Sequence, residues 1–126
     1  MSPPSPTIDE GSNLKMASAY LLEILSQPGK VRARWELRID RPSSAILNEA
    51  AVARVLAEYL WDTGERPDAD KDLPRRLRDR VGRALDGTVL SGETLRWFIG
   101  AFELDARTAE HLTHLRTGAW RNNEWW

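Results

Sequence analysis

Six basic side chains, Lys71, Arg75, Arg76, Arg78, Arg80 and Arg83, fall in one short run, against two acids, Asp72 and Asp79. Cations at that density can neutralise phosphates, and arginine forks match the paired acceptors of a guanine edge in a DNA major groove. The same pattern also suits a solvated helix face held by local pairs, such as Asp79 with Arg75, Arg76 or Arg83. Gly82 stands inside the run. A mid-helix glycine costs about 1 kcal/mol relative to alanine, which points to close approach of a neighbouring backbone or of another helix.

Other residue types offer less chemistry. Asp68, Asp70, Asp72 and Asp79 follow the outer spacing of a calcium loop, but the sixth position, where that loop turns on glycine, is Leu73, and the seventh is Pro74. The acids read instead as favourable charges near a helix N-terminus. His111 and His114 could share a helix face, with only Glu110 nearby as a third ligand. There is no cysteine, so disulfides, thiolate metal sites and cysteine nucleophiles are excluded together. A glycine-rich phosphate loop and a nucleophile elbow are missing as well. The expectation is a non-enzyme with no metal and no cofactor. Six tryptophans are many for this length. Trp35, Trp61 and Trp97 fall in structured segments, whereas Trp120, Trp125 and Trp126 crowd the C-terminus, where exposed indoles would be costly unless they dock or anchor a partner.

The elements that position these residues follow from patterning. At 126 residues, 41% apolar and 29% charged, the chain suits one globular domain. Its formal charge of -1 means that a nucleic acid would have to be met by a local patch. The cations are concentrated in residues 30 to 83, where thirteen bases meet ten acids. No apolar run is long enough to span a bilayer, so no membrane association and a cytoplasmic location are expected.

Residues 1–12 are rich in proline and serine and read as a flexible leader. A single helical domain is expected over 13–118, followed by a Trp-rich tail at 119–126. Within the domain, Asn13 is placed to cap a helix carrying Met16, Ala17, Tyr20, Leu21, Ile24 and Leu25, and Pro28-Gly29 to stop it. From Val31 to Ile39 apolar residues alternate with Arg32, Arg34, Glu36 and Arg38, and period two predicts an extended segment at 30–40. Trp35 and Leu37 would then lie on an interface, because no second strand is evident and the edge would pair with another chain. Further helices are predicted from a cap at Ser43, Ser44 or Asn48 to Gly64, from Pro74 to Asp86, from Ser91 to Leu104, and from Asp105 to Gly118. The fold class is mainly α, a compact bundle of about five helices with one extended segment.

The stretch Arg80-Val81-Gly82-Arg83-Ala84-Leu85-Asp86-Gly87-Thr88-Val89-Leu90-Ser91-Gly92-Glu93-Thr94-Leu95 resembles the latter half of lambda-repressor-like helix-turn-helix regulators. There, a recognition helix is followed by a glycine turn and a capped, leucine-rich helix. With its flanking helix the likeness covers about a third of the chain. In front of the basic helix the family's tight turn is replaced by the acidic stretch Gly64 to Lys71. The resemblance implies that Pro74 to Asp86 enters the major groove of double-stranded DNA, with Arg75, Arg76, Arg80 and Arg83 in contact and Lys71 and Arg78 peripheral. It also implies a homodimer, since one short helix rarely makes enough contact alone. The alternative is a protein-interaction module or adaptor that uses the extended segment and, through Trp120, Trp125 and Trp126, a protein partner at the tail.

Overall fold

The computed structural model of the chain describes residues 7–39 and 47–117, with side chains from Asn13 onward. Among the described residues there are six helices and no strand: α1 (Thr7–Ser26), α2 (Lys30–Glu36), α3 (Glu49–Thr63), α4 (Leu73–Asp86), α5 (Gly92–Ala101) and α6 (Ala106–Thr117). The fold is mainly α, as the patterning predicts.

Local signals set most of the boundaries. The Asn48 side chain accepts a hydrogen bond from the Ala51 amide at the start of α3, and Ser91 does the same for Thr94 at the start of α5. Asp105 caps α6 through the Thr108 amide at 2.7 Å. α3 and α4 each end on a left-handed residue, Gly64 at φ 80° and Gly87 at φ 84°, a conformation that a Cβ disfavours.

α3 is the hub. It buries Ala51, Val52, Ala53, Val55, Leu56, Ala57 and Leu60, so apolar side chains cover much of its circumference, as befits a helix with neighbours on several sides. α2, α4 and α5 pack against it, while α1 packs on α2, α4 and α6. The core they enclose includes Leu21, Leu25, Trp97, Phe98 and Leu112. No helix among the described residues is long and apolar enough to cross a membrane.

Two expectations are corrected. Residues 30–36 are helical rather than extended. Val31, Trp35 and Ile39 recur at four-residue steps within the alternating run, so the same letters also build one face of a helix. That face is the one that packs: Trp35 is 2% exposed, with Val31 and Ile39 partly buried beside it. The Trp35 indole N–H donates to the Leu25 carbonyl at 2.8 Å. The intervening arginines also bond within the chain. Arg32 donates to the Ser26 carbonyl, Arg34 to the Ala101 carbonyl and Glu103, and Arg38 to Glu58. Trp35 is therefore a core residue and not an interface anchor, and residues 30–39 present no strand edge.

The second correction is at the N-terminus. α1 begins at Thr7, inside the stretch read as a leader, and Asn13 is a buried residue of the helix and not its cap. Extending a helix adds one hydrogen bond per residue fixed, so a well-packed downstream segment can propagate into a poor sequence. Residues 1–6 and the tail tryptophans Trp120, Trp125 and Trp126 lie outside the described residues.

Candidate functional site

α4 carries the basic run, and its orientation follows from its apolar stripe. Leu73, Leu77, Val81 and Ala84 are buried against α3 and α1. Helical geometry then turns Arg75, Asp79, Gly82 and Asp86 outward, with Arg78 on one flank and Arg76, Arg80 and Arg83 on the other. All six cations of the run, Lys71 included, are exposed.

They differ in what holds them. Arg76 forms an ion pair with Asp70. Arg83 pairs through Nε with Asp79 at 3.2 Å, one turn back on the same helix. Arg80 is the most constrained: it reaches Glu93 at 3.2 Å and the Thr94 hydroxyl at 3.4 Å, and its guanidinium lies 4.8 Å from the Trp97 ring centroid. These bonds tie α4 to α5 and commit Arg80 to the fold. The side chains of Lys71, Arg75 and Arg78 make no hydrogen bond or ion pair with other described residues. The basic run thus divides into one structural arginine, two exposed paired ones and three uncommitted cations.

An open cleft of about 490 Å³ runs along the outer face of α4, bordered by Glu49 of α3 and by Arg75, Arg78, Asp79, Gly82, Arg83 and Asp86. Its charge is mixed. The close approach that Gly82 suggested is made by a side chain and not by a backbone: a Cβ built there would stand 3.4 Å from the Glu49 carboxylate, an ordinary contact. The Asp86 carboxylate accepts from Thr88 at the start of the turn, and those hydrogen bonds lower its pKa.

The connection between α3 and α4 is fixed by residues that sequence reasoning left unassigned. Arg96 of α5 grips Glu65 with both terminal nitrogens, at 2.8 and 3.1 Å, and the Trp97 indole N–H donates to the same carboxylate at 3.2 Å. The guanidinium of Arg66 also lies over Trp97, 5.6 Å from its centroid. The Arg96 hydrogen bonds, aided by that of Trp97, outweigh partial desolvation and hold the Glu65 carboxyl below its usual pKa. Glu65 and Trp97 are 32 positions apart, so no local pattern could have paired them. The clamp sets where the chain enters α4.

The remaining candidates fall elsewhere. His111 packs against Tyr20 of α1, with ring centroids 4.5 Å apart and the ring planes tilted by 49°. Asp70, read first as part of a calcium-like spacing, is the partner of Arg76. Among the described residues no group of three or more His, Asp or Glu side chains is placed to hold a metal ion. Leu37, at the end of α2, is 84% exposed. No family model, curated protein or solved structure matches this chain.

Proposed function

We propose that this chain is a small DNA-binding regulator that presents α4 to a duplex. The observation that carries the reading is the triad Lys71, Arg75 and Arg78: three exposed cations with no partner among the described residues, on and beside a helix backed by the core. Such groups gain phosphate contacts without giving up any of their own, and each contact releases condensed counterions. Arg76 and Arg83 sit in surface pairs worth at most about 1 kcal/mol each, which a phosphate held in register can displace. Arg80, docked on Trp97, orients the helix. Asp79 and Asp86, on the same outer face as Arg75, can accept from cytosine amino groups in the groove. A second copy of the chain would supply the contact area that one helix lacks.

The test is fluorescence anisotropy with short duplexes, from about 50 to 200 mM salt. The expected result is binding that weakens steeply with salt and is lost in Arg75→Glu/Arg78→Glu while helix content stays unchanged. Equal binding by the parent and the double variant would overturn the role of α4. One observation favours the alternative, a protein-interaction module: Leu37 stands 84% exposed at the end of α2. Self-association or partner capture that Leu37→Glu abolishes, without any DNA binding, would support that module instead.

A further inference from the structure

Two of the cations in the proposed DNA-binding face are already occupied, and their partners are placed differently. Asp70 lies in the connection before α4, where its amide donates to the Pro67 carbonyl at 3.0 Å and its carbonyl accepts from the Leu73 amide at 3.3 Å. Its side chain is 19% exposed, whereas that of Arg76, which it holds, is 58% exposed. The carboxylate is thus the fixed member of the pair and the guanidinium the one free to leave. In the pair of Asp79 with Arg83 both side chains are exposed, at 73% and 59%. A carboxylate and a phosphodiester offer an arginine fork the same anionic oxygens, and they compete for it.

We propose that Asp70 and Asp79 act as internal competitors of DNA phosphate, each holding one guanidinium of α4 until a duplex displaces it. The inference rests on the DNA-binding reading above and adds how that site is regulated. On a random encounter only Lys71, Arg75 and Arg78 neutralise phosphate, so non-specific binding is weak and its salt dependence shallow. A duplex that seats α4 in register presents phosphates to Arg76 and Arg83 as well and takes both from their carboxylates. Discrimination then depends on geometry, because the charge held back is released only when the helix is correctly seated. Glu93 is excluded from this role, since Arg80 is also held by Thr94 and Trp97 and would stay docked if that pair were lost.

The experiment compares Asp70→Asn/Asp79→Asn with the parent on a short random-sequence duplex across about 50 to 200 mM salt. Asp62→Asn/Glu110→Gln serves as the control, with the same change in net charge at two exposed acids that make no ion pair among the described residues. The freed arginines should tighten random-duplex binding about tenfold and steepen the log-log salt slope by about 1.8, or 0.9 per added phosphate contact. The control should do neither. If the parent binds and the Asp70/Asp79 variant binds no tighter than the control, the competition is refuted and the DNA-binding reading stands. If no variant binds at the lowest salt, both fail. Should the double variant lose helix content, Asp79→Asn alone decides, with about a threefold gain and a slope change of about 0.9 expected; no gain over Asp62→Asn refutes the proposal.

Discussion

The phenol ring of Tyr59 on α3 occupies the volume that a Cβ on Gly100 of α5 would need, which brings the two helices close together at that point. Alanine at 100 would drive into the ring at Cζ and Cε1, atoms held by the ring's own attachment, and one of the pair must shift. Gly100→Ala should therefore destabilise the fold by about 1 to 3 kcal/mol in urea unfolding. With Tyr59→Ala already present, the same change should become neutral or stabilising, because only the helix-propensity gain remains. A double-mutant cycle with no coupling would show that the ring does not set the spacing of α3 and α5.

Gly82 provides the opposite case. A Cβ there meets only the Glu49 carboxylate, at an ordinary contact distance of 3.4 Å, so Gly82→Ala should stabilise α4 by about 0.5 to 1 kcal/mol. The check is a higher urea midpoint at unchanged slope. If DNA approaches the backbone closely at this position, affinity for duplex should fall as stability rises.

Leu37 and Trp35 separate helix from strand. On a strand they would share a face, but here Trp35 is 2% and Leu37 84% exposed. Leu37→Glu should change stability by less than about 0.5 kcal/mol. Trp35→Ala should cost about 3 to 5 kcal/mol, through the cavity it leaves and the loss of its bond to the Leu25 carbonyl. Equal costs at the two positions would contradict the helical assignment.

Acid should loosen the connection before α4. Hydrogen bonds from Arg96 are the largest influence on Glu65 and lower its pKa from the ordinary 4.5. At Glu58 burial alone would raise the pKa, but Arg38 and Arg54 together outweigh it and the net shift is again downward. A carboxyl whose folded pKa is depressed stabilises the fold at pH values above its unfolded pKa, and that contribution fades as pH falls through the folded one. Melting temperature should hold from neutral pH to about 5 and then drop below about 4.5. In Glu65→Gln it should start lower at neutral pH and drop less steeply on acidification. An acid limb identical to the parent's would show that the Glu65 clamp does not contribute to stability.

A single segment encodes its own boundaries and its own buried face. Ser91 and Asp105 offer side-chain oxygens to amides three positions ahead, and Gly64 and Gly87 tolerate left-handed backbone, so the end of α3, both ends of α4 and α6 and the start of α5 were legible within a residue or two; Asn48 caps α3 where Ser43 and Ser44 offered rival caps, and α5 stops at Ala101, three residues short of Leu104. The apolar stripe of α4 was equally legible: helical period alone gathers Leu73, Leu77, Val81, Ala84 and Leu85, of which four are buried and Leu85 is partly buried. Packing chose the rest, through contacts that no single segment contains. The run from Val31 to Ile39 satisfies both period two and period four, and the Leu25 carbonyl and the core beneath Trp35 selected the helix. The six cations of the basic run read alike as letters, yet the fold gave Arg80 to Trp97 and Glu93, gave Arg76 to Asp70, and left Arg75 and Arg78 without a partner among the described residues. Periodicity reports which way a side chain points, but its partner depends on which distant helix the packing brings alongside.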